Sequence, residues 1–160
     1  MKKGLKIALT VLNFVAVIGV FLFAIAFIFI GLFGEALVAV FTLGHADAEG
    51  AIVGMFAPSA LMLFGVSILD LIATILFIVS FKKVSKGLQI AIGSLFSFVA
   101  LLLLVAIVVL FVRIGFSQDS IKAYVVISLL ALLHVALYVL SGVFGGFLPA
   151  FKKQPEQLPE

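Results

Sequence analysis

The stretch Leu88–Val112, LQIAIGSLFSFVALLLLVAIVVLFV, runs for 25 residues without a charged side chain. At a rise of ~1.5 Å per residue it exceeds the ~30 Å hydrocarbon core of a bilayer. Lipid offers no partner to a backbone amide, so a spanning segment has to be a helix or a strand of a closed barrel. Barrel strands are ~10 residues long and alternate in polarity, and this stretch does neither. It reads as a transmembrane helix.

Three further apolar runs of similar length follow from the same reading: Ile7–Phe33, Ala60–Phe81 and Ala123–Leu148. The first and last are long enough to require tilt or to reach into the headgroups. With 66% apolar and 11% charged residues the chain departs from the make-up of a water-soluble domain, and a bilayer accepts the apolar surface that water would not. The expected fold class is all-α: a polytopic membrane protein folded as one antiparallel four-transmembrane-helix bundle, residues 1–148, followed by a polar, disordered tail from Pro149.

Orientation follows from the basic residues. Lys2, Lys3, Lys6, Lys82, Lys83, Lys86, Lys152 and Lys153 flank one side of the spans, against Arg113 and Lys122 on the other. Positive charge favours the cytoplasmic side, so both termini are expected inside (N-in/C-in), in the plasma (inner) membrane. The lysines before Ile7 and the Ala24-Ile25-Ala26 triplet imitate a secretory signal, but the apolar run continues to Phe33, beyond the ~7 to 15 residues of a signal core. An uncleaved anchor is the better reading.

Gly34–Ser59 is the one sizeable external connection. Val38, Val40, Thr42, Ile52 and Val53 would suit a β-hairpin. Its alanines, with Pro58 as a stop before the second span, favour two short helices in or re-entering the interface, which is the preferred reading. The second external connection, Gly115–Ser120, is much shorter, so a duplicated inverted-repeat transporter is not indicated.

Polar residues inside a span report which faces turn inward. Counted from the cytoplasmic ends, Asp70 lies ~18 Å and His134 ~20 Å deep, both near the midplane. A contact between them would offset the cost of burying either, which motivates it as a hypothesis. Ser67 and Thr74 share the Asp70 stripe, Ala131, Tyr138, Ser141 and Gly145 share the His134 stripe, and Asn13 and Ser97 are inward candidates on the first and third spans. Two readings of this cluster stand: interhelical polar glue that sets register, or a proton or cation relay. The Ser141-Gly142 and Gly145-Gly146 pairs form overlapping small-xxx-small patterns that allow close helix approach, inside the bundle or to a partner span.

At the external tip His45, Asp47 and Glu49 alternate and could hold a divalent cation, although no fourth ligand accompanies them and a solvated acidic turn is the simpler reading. The absence of cysteine removes disulfides, thiolate metal sites and thiol redox chemistry. No His-Glu-x-x-His, Gly-x-Ser-x-Gly or phosphate-loop pattern occurs, and no cofactor is expected. The basic residues sit at span ends rather than among aromatics, so topology explains them and nucleic acid does not.

Four spans, a larger first external loop, a short second one and cytoplasmic ends resemble the tetraspan plan of claudin-like proteins. That family's external tryptophan and cysteine signature is missing, since the chain has neither residue, and no functional residue is carried across. The expected function is a non-enzymatic membrane protein that binds or organises membrane lipids, another membrane protein or a second copy of itself. The alternative is a proton-linked small transporter or channel using Asp70 and His134.

Overall fold

A computed structural model describes residues 3–41, 51–82, 85–114 and 121–151. Among them no strand occurs, and four helices are long and apolar enough to cross a membrane: α1 (Lys3–Phe41), α2 (Ala51–Val79), α3 (Lys86–Ile114) and α4 (Ile121–Ser141). A π-helical segment, Gly142–Phe147, continues α4 into a last short helix, α5 (Leu148–Phe151).

Side-chain pairs run in opposite order along neighbouring helices, which makes them antiparallel. Between α1 and α2, Lys6 Nζ lies 5.0 Å over the Phe81 ring, Phe21 meets Phe64 at 5.4 Å and Phe27 meets Phe56 at 5.7 Å. Between α3 and α4, Phe96 stacks on Tyr138 at 6.4 Å and Phe111 meets Tyr124 edge-on at 4.8 Å. Each helix buries one narrow stripe. On α1 it is Leu9, Asn13, Ala16, Val20, Ala24 and Phe27, at spacings of three and four, and on α3 Ile92, Phe96, Val99, Leu103, Ala106 and Leu110. The rest of each surface is Ile, Leu, Val and Phe facing outward, as lipid requires.

Small residues let the helices close on one another, while two large aromatics fill the middle. Phe77 and Phe96 are fully buried and meet edge-on at 6.4 Å, so phenylalanine serves the interior as well as the outer face. Without a hydrophobic driving force between helices in lipid, such packing and a few polar contacts hold the bundle.

Three boundaries differ from the sequence reading. α1 runs on to Phe41 and α2 begins at Ala51, so the parts of the 34–59 connection described here are helical extensions of the two spans rather than separate interfacial helices or a hairpin. Ala36, Leu37 and Ala39 are good helix formers, and Gly34 alone does not stop them. Pro58 lies inside α2, seven residues past its start; it removes one hydrogen bond without ending the helix. The tail reading from Pro149 gives way to α5 as far as Phe151.

α4 is interrupted, although its sequence suggested one continuous helix. The wider turns carry three glycines and fall just before Pro149, whose ring would clash with an α-helical carbonyl four residues back. The Leu148 amide donates to the Val143 carbonyl, five residues back, which is the π pattern.

Candidate functional site

The polar residues of the bundle divide into three groups. The first is satisfied within its own helix: Thr10 Oγ1 donates to the Lys6 carbonyl at 2.9 Å, Ser67 Oγ to Phe64 at 2.8 Å, Ser80 Oγ to Phe77 at 2.6 Å and Ser97 Oγ to Gly93 at 2.9 Å. Such back-bonding removes the need for an interhelical partner. Ser97 is moreover on an exposed face of α3, a correction to its placement in the buried cluster, because the α3 stripe passes through Phe96 and Ala100 instead.

The second group is a closed pair. Asn13 Nδ2 donates to Ser141 Oγ at 3.0 Å, and Ser141 Oγ donates to Asn13 Oδ1 at 3.2 Å, with both side chains buried. This pair ties α1 to the end of α4. Double-mutant cycles in membrane proteins average ~0.6 kcal/mol for such bonds and reach ~1.7. Reciprocity and full burial place this one at the upper end, so a cycle of Asn13→Ala and Ser141→Ala, read by unfolding in mild detergent, is expected to show a coupling of about 1 kcal/mol. A coupling below about 0.3 kcal/mol would mean the pair does not form.

The third group is incomplete. Asp70 is fully buried; its Oδ1 accepts from Thr74 Oγ1 at a long 3.4 Å, and Oδ2 has no hydrogen-bond partner. The Tyr138 hydroxyl sits beside this carboxyl as its natural donor, in an approach that falls short of a well-formed hydrogen bond. Ser59 Oγ, also fully buried, is unpartnered as well. Unpaired buried polar atoms are costly, and the Asp70 carboxyl and the Tyr138 hydroxyl, an acceptor and a donor side by side, are the partners nearest to hand for one another.

His134 is not part of this group. The equal depths of Asp70 and His134 suggested a contact, but no hydrogen bond or ion pair joins them. His134 is half-buried, and its Nδ1 pairs with the Leu130 carbonyl of its own helix at 2.7 Å. The reason is the rotation and register with which α4 packs. Tyr124, Ala131, Tyr138 and Gly145 recur every seven residues as the buried seam of α4, and His134 lies to one side of it. Tyr138, one turn along, takes the place against Asp70, with its ring 6.4 Å from the imidazole.

The glycines near the end of α4 lie inside the bundle, and Gly142, Gly145 and Gly146 are buried. A Cβ at Gly146 would fall 2.5 Å from Gly93 Cα and 2.7 Å from the Gln89 carbonyl oxygen, so two backbones touch there. A Cβ at Gly145 would meet the Phe77 ring at 2.5 Å, and Gly93 itself leaves room for the Phe147 ring.

What the sequence did not single out is a cleft. It is a shallow apolar cavity of about 40 Å³ that opens onto the outside of the bundle. Val20, Phe23 and Phe27 of α1 face Ile127, Leu130, Ala131 and His134 of α4 across it, over a floor that includes Leu63 and Leu103. α1 and α4 make few contacts with each other, and Asn13–Ser141 is their hydrogen-bonded meeting point. Gly19 packs against His134, since a Cβ there would lie 3.6 Å from the imidazole Nε2. Apolar residues in a span carry no signature that separates a cleft wall from a lipid face, and only the gap between two helices reveals them.

His45, Asp47 and Glu49 lie outside the described residues, so the external cation site has no structural account. Among the described residues no three metal-ligating side chains gather. No family model matches the chain, and neither a curated protein nor a solved structure is similar enough to it to count as a match.

Proposed function

We propose that the chain is a non-enzymatic, multi-pass protein of the plasma membrane, with both termini cytoplasmic, that binds another membrane component. The observation that carries this reading is the cleft between α1 and α4, an apolar indentation open to the side of the bundle where these two helices make few contacts with each other. Hydrogen-bonded closure of the other buried pair, Asn13 and Ser141, leaves that part of the interior to packing. The lysines at the span ends support the orientation.

Extraction into polymer-bounded native nanodiscs, followed by mass spectrometry of lipids and proteins, tests the reading. A companion present at a fixed ratio to the chain is expected. Recovery with bulk lipid only and no stoichiometric companion, including a second copy, would overturn it.

One observation favours a second reading, a proton-linked carrier: Asp70 Oδ2 and the Tyr138 hydroxyl are buried side by side with no hydrogen-bond partner. An ionisable carboxyl inside a span is the kind of group through which proton relays work. Proton flux in liposomes that disappears on Asp70→Asn would favour this reading, whereas flux equal to that of empty vesicles would remove it.

A further inference from the structure

The chain has seven Asp and Glu residues, and none lies between Met1 and Gly34 or between Leu71 and Gln118. The end of the bundle where α1 and α3 begin and α2 finishes is therefore basic without a counter-charge. Lys6 stands near the start of α1, Lys82 just past the end of α2 and Lys86 at the start of α3. Along α2 the nearest carboxylate, Asp70, lies eleven residues before Phe81, roughly 17 Å away. Glu156 and Glu160 of the tail lie outside the described residues. The tendency that gathers lysines on one side of a membrane gives carboxylates little weight, so it does not account for their absence.

The helix starts add to the excess of positive charge. Amides at a helix start carry partial positive charge, which an acidic residue in the first turn ordinarily offsets. α1 and α3 have no acidic residue there and begin with lysine instead. Gly4 and Gly87, in those first turns, have nothing within 4 Å of where a Cβ would stand, so the approach to both is open. Lys6 is half-buried, and its ammonium is held 5.0 Å over the Phe81 ring, which positions one of the cations before any anion arrives.

What surrounds the cations narrows the anion. Leu5 and Ile7 flank Lys6, Phe81 precedes Lys82, and Ile90 lies one turn past Lys86; all four are exposed apolar side chains. Such a border between charge and hydrocarbon matches a phospholipid, whose phosphate and acyl chains meet at one level. A soluble polyanion or an acidic peptide would leave the apolar neighbours uncovered.

We propose, resting on the reading of the chain as a membrane protein that binds membrane components, that this end of the bundle binds anionic phospholipids. Lys6, Lys82 and Lys86 take the phosphate, and the acyl chains lie along the exposed apolar residues beside them.

The test uses the full chain in neutral detergent, titrated with phosphatidylglycerol or with phosphatidylcholine of the same acyl chains, and native mass spectrometry resolves the first bound lipid. Phosphatidylglycerol is expected to bind about fivefold tighter or more, the equivalent of ~1 kcal/mol from a single lysine. Changing Lys6, Lys82 and Lys86 together to Gln should bring that ratio below about two, whereas changing the same three to Arg should keep it. Arg113→Gln combined with Lys122→Gln, at the opposite end, should also keep it. A ratio near one in the unaltered chain, or a ratio that falls with Arg113 and Lys122 instead, overturns the proposal. Displacement of the lipid by an equal concentration of glycerol phosphate does so too, because it would assign the lysines to a soluble anion. An even lipid ratio leaves the companion reading standing, whereas native nanodiscs holding bulk lipid only remove that reading whatever the ratio.

Discussion

Gly146→Ala is expected to destabilise the bundle by about 3 kcal/mol or more, although it adds one methyl group and replaces a poor helix former with the best one. The new Cβ would fall 2.5 Å from Gly93 Cα and 2.7 Å from the Gln89 carbonyl, and both obstacles are backbone. A side chain can rotate away, but a backbone moves only if the crossing of α3 with the π segment opens. Opening it would also withdraw Phe147 from the space over Gly93 and loosen Gly142 from Phe96. Gly145→Ala meets only the Phe77 ring, which can shift, so a smaller loss, about 1 to 2 kcal/mol, is expected. Gly65→Ala, with nothing near its Cβ, should gain up to about 1 kcal/mol from helix propensity. Thermal unfolding of the three variants in one mild detergent orders them. Should Gly146→Ala melt with or above the unaltered chain, the helices do not touch at this point.

Asp70→Leu should act in the opposite direction. Asp70 is fully buried, and one of its two carboxyl oxygens has no partner. An unsatisfied buried polar group costs about 1 to 3 kcal/mol, and an apolar side chain of similar size removes that cost at the loss of one long bond to Thr74. A gain of about 1 kcal/mol or more is therefore expected in the same unfolding assay. The interest lies in the pairing with function. If stability rises while companion binding and proton flux are unchanged, Asp70 serves neither the stability of the bundle nor these activities. If stability rises and one activity is lost, the residue is held in a costly state for that activity, a trade-off common at functional sites. Lower stability in Asp70→Leu would show instead that the carboxyl is satisfied by a group such as the adjacent Tyr138 hydroxyl.

Much of the arrangement was legible from residue type. Four long runs of apolar side chains can satisfy their backbones in lipid only as helices, and that constraint does not depend on how the helices meet. Asn13, Ser67, Asp70, Thr74, Tyr138 and Ser141 were identified as inward-facing because burial among helices is the cheaper place for a polar group, and all six are buried. Ser97 failed the same test because a serine can satisfy its hydroxyl on its own helix's carbonyl and then face either way. Pro58 misled as a stop signal because the loss of one hydrogen bond is small beside the rest of a long helix.

By itself, then, the chain's sequence determined four segments long and apolar enough to cross a membrane, their helical class and the identity of the polar groups that turn inward, since those depend on transfer energies and backbone accounting within each segment. Tertiary structure alone decided which inward groups meet. The rotation of a helix about its axis and its register against a neighbour are set by packing. Packing put Tyr138, one turn further along, rather than His134 against Asp70, joined Asn13 to Ser141, and left His134 at the edge of a gap that no single helix encodes.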